Sequence, residues 1–547
     1  MPILTVNKFS GVAPRVSPNK LAPEMAQVAT NVRLLGGTLA SWKQPITVLP
    51  NVPVGSKTSI YRYSQNLTSD TQYWFTWAED VDVVKSAIAG DTTERTYFTG
   101  ASMGARMTES TLALTGGTTY PVKSYPLGIP APTAVPVATA QVQGDTTSYV
   151  ETRFYVYTFV SYLGEEGPPS AVSNQLDVYT VGATTRLSGL QTTPPAGYQG
   201  YLSAKRIYRT LVGSAATEFQ LVDEIPLSQA TFDDNKPGTS LGEVIPTTTW
   251  TPPPAGAFGI TQMANGITLL FKGYDIYPSE AYVPYAYPVG YQQSVDYPIV
   301  GGKAIGTSAV ILTTGQPYLL TGSDPSAMSL VKLESPQACV SKRSIAAADG
   351  GVLYASPDGL IFVTVTGQVT NVTAQLFTRD EWQALVPSSI NGYFHDGRYY
   401  GFYNTGTVRR GFIFDPAQGA GAFVFTDLYA TAGYSDLLQD ALYLQVGGNI
   451  VKWNTDAARM SYTWRSAIFE LPSPINPACA QVTAKQYPLT FKLFADGELK
   501  HTQTVTSSSP FWMPSGYRAQ FVELEISGTS EVLAVYVAGS PQELKGL

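Results

Sequence analysis

Hairpins recur along the second half of the chain at a nearly constant interval. From Pro254 onward, strand-like runs joined by Gly-containing turns follow one another, and their centres lie about 40–50 residues apart. They include ITLLFKGYDIYPSE, SAVILTTGQPYLLTG, GGVLYASPDGLIFVTV and ALYLQVGGNIVKW. Four-stranded propeller blades have this period. The spacing therefore predicts a β-propeller, and a run of sandwiches is the alternative.

The remaining sequence also favours strands. The 34 Tyr, 49 Gly and 39 Pro residues favour short strands and tight turns. We expect a helix only at Ala22–Val32, where Pro23 and Glu24 occupy a first turn, and at Thr378–Val386. The predicted class is all-β.

Two Pro-rich stretches divide the chain. Residues 121–136 and 245–254 read as extended linkers, and they bracket a segment that contains the alternating run RFYVYTFVSY. An insertion with exposed linkers is expected to fold as its own sandwich. The predicted domains are an extended arm (1–50), a first propeller part (51–130), an inserted sandwich (131–250), the rest of the propeller (251–460) and a carboxyl-terminal β domain (461–547).

Charge is scarce in this chain. Only 14% of the residues are charged, against about 25% in an ordinary soluble domain, and interfaces are depleted in charge and enriched in aromatic residues. Composition therefore favours a subunit of an assembly over a β-rich monomer. The net charge of −7, with no Lys/Arg cluster, argues against a protein that grips nucleic acid. We also expect neither a signal peptide nor a membrane-spanning segment, and hence synthesis in the cytoplasm.

A search for catalytic and metal-binding patterns predicts no active site, no metal and no cofactor. The chain has two histidines, His395 and His501, in different predicted domains, and two cysteines, Cys339 and Cys479, which we expect to be buried. No nucleophile elbow, zinc-protease motif, phosphate loop or dinucleotide fingerprint occurs. The adjacent acidic residues fall in turn or helix-start contexts, which predicts a solvated role for them: Glu165/Glu166, Asp233/Asp234 and Asp380/Glu381.

The segment Ser356-Pro357-Asp358-Gly359 resembles the Asp-box turn of sialidase propellers, although the residue which that motif places between Asp and Gly is missing. In such a turn Asp accepts backbone N–H bonds and Gly supplies a positive φ. The segment predicts a blade hairpin, without any hydrolytic role.

Several longer segments resemble the tail nozzle, or tail tubular, proteins of short-tailed bacteriophages. They include YPSEAYVPYAYPVGY, SPQACVSKRSI and LFTRDEWQALVPSSINGYFHDGRYYGFY in the second half, and YTWRSAIFELPSPINPACAQV and YPLTFKLFADGELKHTQTV near the end. The amino-terminal FSGVAPRVSPNKLAPEMAQVATNVRLLGGTLASWKQP fits the same family. The bracketed insert is similar to the fibronectin-type-III-like insertions of that family. The match covers most of the chain and is poorest in residues 51–125.

This resemblance implies a virion structural protein, non-enzymatic, with a β-propeller hub assembled as a hexameric ring below the portal and adaptor. It implies tail fibres or spikes as neighbours, and phage DNA that passes through during genome ejection without specific binding. The Tyr-rich, nearly uncharged stretch 274–298 is our candidate for a subunit contact, with ordinary loop packing as the alternative. The residues concerned are Tyr274, Tyr277, Tyr282, Tyr285, Tyr287, Tyr291 and Tyr297.

Two other functions stay open from the sequence. A tail spike or adhesin that binds host-surface carbohydrate would also use aromatic residues, which stack on sugars. A spike would require two convergent carboxylates and usually a trimeric β-helix, and the sequence lacks a short periodic repeat of that kind. An adhesin would require export or a receptor-binding tip.

Overall fold

Strands build almost the whole molecule. The computed structural model describes residues 3–52, 58–63, 69–210, 218–419 and 421–544. Within these ranges the α-helices are Ser110–Leu114 and Arg379–Gln383, and neither is long and apolar enough to cross a membrane. The second helix confirms the prediction at Thr378–Val386. It begins with a capping box, in which the Thr378 hydroxyl accepts from the Glu381 N–H and the Glu381 carboxylate accepts from the Thr378 N–H.

Seven sheets form a closed ring in the described part of the chain. Their innermost strands contact one another in succession, and the last contacts the first. From the third sheet onward these innermost strands begin 41 to 47 residues apart. The structure confirms the propeller expected from the hairpin spacing.

We number the blades in chain order, each from its innermost strand outward. Blade 1 contains Ser59–Arg62 and Trp74–Trp77. Blade 2 contains Val81–Lys85, Thr96–Gly100, Gly104–Thr108 and Tyr125–Pro126. Blade 3 contains Phe258–Gln262, Thr268–Lys272, Asp275–Pro278 and Gln293–Ser294. Blade 4 contains Ile299–Ile305, Ser308–Thr313, Tyr318–Thr321 and Ser329–Lys332. Blade 5 contains Ala346–Ala348, Gly351–Ser356, Gly359–Thr364 and Val369–Asn371. Blade 6 contains Asn391–His395, Arg398–Asn404, Arg409–Phe414 and Phe423–Thr426. Blade 7 contains Ala432–Asp436, Ala441–Val446, Asn449–Lys452 and Ile46–Leu49.

The ring closes through strands that are distant in sequence. Ile46–Leu49, placed by the sequence in the arm, is the outermost strand of blade 7 and pairs antiparallel with Asn449–Lys452. Blade 7 then joins blade 1 through a buried ion pair in which the Arg62 Nε lies 2.6 Å from the Asp436 carboxylate. Both closures hold the first and last blades together.

An antiparallel sandwich follows blade 2 and precedes blade 3. One of its sheets contains Val137–Val142, Thr184–Ser188 and Phe232–Asp234. The other contains Tyr155–Ser161, Leu202–Thr210 and Phe219–Pro226. A separate two-stranded sheet contains Val150–Arg153 and Leu176–Tyr179. Its apolar core is continuous with the propeller, because Tyr157 and Ile207 share one cluster with Met107 of blade 2 and Leu270 of blade 3. The insertion is therefore packed onto the ring.

The two ends of the chain fold together on blade 6. Ala26–Thr30 lies parallel to the outer strand of blade 6 and antiparallel to Tyr462–Ser466, and so extends that blade into a ten-stranded sheet. The sheet continues with Ala519–Gly528, Leu489–Ala495, Glu498–Val505 and Phe469–Ile475. A second sheet contains Val32–Leu35, Thr38–Ser41, Val532–Ala538, Cys479–Ala484, Phe511–Trp512 and Leu4–Val6.

The helix predicted at Ala22–Val32 is wrong. Residues Ala26–Thr30 and Val32–Leu35 are strands, and Asn31 between them has a positive φ of 58°. Helix propensity is a weak preference, and pairing with Tyr462–Ser466, more than 400 residues away, overrides it.

Candidate functional site in the axial cavity

A cavity of about 410 Å³ lies on the propeller axis. The innermost strands of blades 1, 2, 4, 5, 6 and 7 line it, together with the turn that precedes blade 5. The wall is tight at Gly433, where an added Cβ would lie 2.7 Å from the ring of Tyr393. This position requires glycine because an aromatic ring from the neighbouring blade covers it.

The charged residues that line this cavity form one cluster. Lys342 bridges two carboxylates, with its Nζ 3.0 Å from Asp80 and 2.6 Å from Asp82. Lys303 reaches the other oxygen of Asp82 at 3.1 Å. Because these residues come from blades 2, 4 and 5, the ion pairs tie together blades on different sides of the axis.

Arg343 extends the cluster to blades 7 and 1. Its Nη2 donates to the Thr58 carbonyl at 2.9 Å, just before blade 1, and to the Thr431 carbonyl, just before blade 7. Among the described residues, no carboxylate oxygen lies within ion-pairing distance of this guanidinium, unlike the two neighbouring lysines. The axial cluster, defined as Asp80, Asp82, Lys303, Lys342 and Arg343, therefore has three positive charges and two negative ones.

The electrostatics of the cluster keep Asp82 ionised. Burial alone would raise the pKa of Asp82, but the charges of Lys303 and Lys342 outweigh burial and lower that pKa to about 2. The same pairing raises the pKa of Lys342, although burial opposes the rise. Asp82 therefore cannot supply a proton near neutral pH, and the cluster has the character of a binding or structural site.

The tyrosines predicted at a subunit contact separate into two groups. Tyr274, Tyr282 and Tyr297 are exposed, at 50%, 54% and 40% of their surfaces. Tyr287 is buried, while Tyr277 and Tyr285 are partly buried against the core shared by the insertion and blades 2 and 3. Tyr291 is half-buried and donates to the Glu280 carboxylate at 2.8 Å. The structure does not bring the seven residues onto one surface.

The solvated role predicted for adjacent acidic residues is wrong for three of them. Glu165 and Glu166 are both buried. The Glu165 carboxylate accepts from Arg95 of blade 2 at 3.0 Å and from the Tyr201 hydroxyl. The Glu166 carboxylate accepts from Arg206 and the Tyr208 hydroxyl, both at 2.7 Å. Burial raises the pKa of Glu165, although its hydrogen bond from Tyr201 and the nearby Arg95 oppose the rise.

Asp234 is the third buried acid, and Arg209 pairs with it at 2.6 Å. Its neighbour Asp233 is exposed and pairs with Arg186, and Glu381 caps a helix as its position predicts. Cations or backbone groups hold five of the six carboxylates, and Asp380 is exposed: the five are Glu165, Glu166, Asp233, Asp234 and Glu381.

The histidines and cysteines lie apart. His395 ends the innermost strand of blade 6, whereas His501 lies in the carboxyl-terminal domain. Cys339 and Cys479 are free and buried, which confirms their expected burial. In the part of the chain that the structure describes, no group of three or more His, Cys, Asp or Glu residues has the arrangement of a metal site.

The sequence did not reveal the axial cluster. Its members are spread from Asp80 to Arg343, and blade closure brings them together. A local signal was the adjacent pair Lys342-Arg343, which lies shortly before the strand Ala346–Ala348.

In the ranges that the structure describes, the fold is a β-propeller of seven blades with an inserted sandwich and a composite domain made from both chain ends. No protein-family model matches the sequence, and no curated protein matches it. Solved structures similar to the chain include BBS1N in complex with ARL6DN (8% identity, 68% of this chain and 90% of the other, TM-score 0.27). Another is the Pan2 WD40 domain of Neurospora crassa, with 7% identity over 51% of this chain and 88% of the other and a TM-score of 0.27. A third is AztD of Citrobacter koseri, with 9% identity over 70% of this chain and 99% of the other and a TM-score of 0.26. Such low scores carry no argument, and the fold assignment rests on the sheets themselves.

Proposed function

We propose that this chain is a structural subunit of the tail nozzle of a short-tailed bacteriophage, and that several copies surround a conduit for DNA. The observation that carries the proposal is the composite domain. The amino-terminal and carboxyl-terminal segments that resemble nozzle proteins pair with each other, with Ala26–Thr30 antiparallel to Tyr462–Ser466. Segments from opposite ends of the sequence thus belong to one structural unit, as expected if the resemblance reflects a shared architecture.

In this proposal DNA passes between copies and not along the propeller axis. A duplex is roughly 20 Å wide, so its passage requires an open bore of at least that width. The innermost strands of neighbouring blades contact one another around the axial cavity, and the ion pairs of Lys342 cross it. A conduit for duplex DNA must therefore be formed by a ring of subunits, and six is the number that the resemblance implies.

The size of the assembly tests the proposal directly. Native mass spectrometry and negative-stain electron microscopy of the purified chain, alone and with adaptor and portal proteins of the same virion, should reveal six-fold rings with an opening wider than a duplex. A stable trimer would favour the spike alternative. A chain that stays monomeric with those proteins would contradict the nozzle proposal.

The exposed tyrosines provide a test of the subunit contact. Tyr274→Glu and Tyr282→Glu introduce charge at exposed positions and should weaken ring formation, because interfaces exclude unpaired charge. Tyr149→Glu is the matched control, since Tyr149 is 88% exposed on the insertion, outside the 274–298 stretch. Equal assembly by all three variants would exclude 274–298 from the contact.

The proposal includes no catalysis and no grip on DNA. Four of the adjacent carboxylates are engaged by cations: Glu165 by Arg95, Glu166 by Arg206, Asp233 by Arg186 and Asp234 by Arg209. A ring of six would carry six times the net charge of −7, which favours a neutral or acidic bore. The purified chain should neither cleave polysaccharide nor shift duplex DNA in a gel at low salt. Mutation-sensitive cleavage, or a bore lined mainly by Lys and Arg, would contradict this part.

A further inference from the structure

The axial cluster has a charge imbalance at the edge of an open cavity. Asp80 and Asp82 are engaged by Lys342, and Asp82 also by Lys303. Arg343 is partly buried and, among the described residues, contacts carbonyl oxygens in place of a carboxylate. A charge that is partly removed from water and has no counter-charge is destabilised, although less than a fully buried one, and an anionic partner would compensate it.

We propose that the axial cavity binds a small oxyanion, a phosphate or a carboxylate, that pairs with Arg343 and Lys303. This site goes beyond the nozzle proposal and does not depend on it. A guanidinium presents a planar fork of donors that matches two oxygens of a carboxylate or phosphate. Nη2 donates to the Thr58 and Thr431 carbonyls, and the guanidinium also bonds to Tyr393, which lines the same cavity. A guanidinium has five N–H donors, so donors remain for a ligand.

Size and sign both favour this class of ligand. One water molecule takes about 30 Å³ of liquid, so a 410 Å³ cavity has room for an anion together with several waters. A cation is disfavoured because both carboxylates that line the cavity already bind lysine. A nucleic acid strand is disfavoured because the ion pairs from Lys342 to Asp80 and Asp82 cross the cavity.

The test is anion titration of the full chain by calorimetry at constant ionic strength, with inorganic phosphate and malonate as probes and chloride as background. We expect saturable binding of at least one probe, and the stronger of the two identifies the chemistry. Arg343→Gln should weaken it at least tenfold, whereas Arg343→Lys, which keeps the charge and loses the fork, should have an intermediate effect. Arg409→Gln is the matched control, because Arg409 is exposed on blade 6 and does not line the cavity.

Arg343 also joins blades, so the folding of Arg343→Gln is checked by circular dichroism. If that variant does not fold, Lys303→Gln replaces it, since Lys303 lines the same cavity and its loss should weaken binding at least threefold. Absence of saturable binding to the wild-type chain overturns the proposal. Unchanged binding by Arg343→Gln, or by both Arg343→Lys and Lys303→Gln, also overturns it and leaves Arg343 a purely structural link.

Discussion

Asn31 joins three parts of the molecule, and replacing it tests whether the amino-terminal strands hold the carboxyl-terminal domain on blade 6. Its Oδ1 accepts from the Thr426 hydroxyl at 2.9 Å and from the Asp427 N–H at 3.1 Å, both at the end of blade 6. Its Nδ2 donates to the Ser461 carbonyl at 2.9 Å, just before the carboxyl-terminal domain. The backbone at Asn31 has a φ of 58°.

The magnitude follows from these contacts. Asn31→Ala leaves the buried Thr426 hydroxyl without its acceptor, which costs about 1–3 kcal/mol, and it removes the bond to the carbonyl of Ser461, an exposed residue, which costs about 1 kcal/mol. Alanine at this positive φ adds a further cost of about 1 kcal/mol, because it has a Cβ but lacks the polar side chain that lets asparagine adopt this backbone conformation. We therefore expect a loss of about 3–5 kcal/mol in the free energy of unfolding. Asn31→Gly should lose about 1 kcal/mol less, because glycine adopts this φ freely.

Asn51→Ala is the matched control, since Asn51 has a φ of 53° but is exposed, so that only the backbone term of about 1 kcal/mol applies. Urea unfolding followed by tryptophan fluorescence gives the stability. Hydrogen–deuterium exchange across Tyr462–Ser466 shows whether the junction opens first. If Asn31→Ala lost no more stability than Asn51→Ala, the side-chain bonds would not hold the junction, and the reasoning would be refuted.

Three further predictions concern buried charges and the insertion. Arg62→Met leaves Asp436 buried without its cation and should lower the free energy of unfolding by about 3–5 kcal/mol. Arg186→Met, at the exposed pair with Asp233, should lower it by under about 1 kcal/mol. Thermal unfolding compares the two variants, and equal losses of stability would contradict the role of Arg62 in closing the ring. Burial lowers the pKa of Lys205 to about 8, from the ordinary lysine value of 10.5. Between about pH 8 and pH 10.5 the unfolded chain therefore binds more protons at Lys205 than the folded chain does, and the stability of the folded chain rises with pH across that window. Lys205→Met should remove this rise, and an unchanged pH profile would contradict it. Deletion of 131–246 with a Gly/Ser link should lower the melting temperature, because Tyr97 and Met107 of blade 2 lose apolar partners; an unchanged value would show that the insertion is not docked.

Local chemistry made several features predictable from the sequence. The Asp496-Gly497 turn joins Leu489–Ala495 to Glu498–Val505, and both turn residues have positive φ, at 50° and 83°. The Ser356–Gly359 hairpin of blade 5 was predicted for the same reason, since its turn residues are adjacent in sequence. Features of this kind depend on a few neighbouring residues and on no distant partner.

Distant partners account for the failures. Nothing near Ala26–Thr30 indicates that its neighbours will be Tyr462–Ser466 and the outer strand of blade 6. The sequence GEEG at 164–167 is typical of a solvated turn, but Glu165 is buried, with Arg95, 70 residues earlier, and Tyr201, 36 residues later, as its partners. The axial cluster has the same origin, since its charges come from three blades.

Burial of charge also changes what the composition means. Only 14% of the residues are charged, and several of these form buried pairs, among them Arg62–Asp436 and Arg209–Asp234. The solvent surface is therefore less charged than the composition indicates. A net charge of −7 on 22706 Å² of accessible surface amounts to one excess negative charge per roughly 3,200 Å², whereas a standard interface takes about 800 Å² from each partner. On average such an interface includes less than one excess charge, and salt screens charges beyond about 10 Å. Mutual repulsion is thus too weak to oppose a ring of identical subunits, despite their common sign.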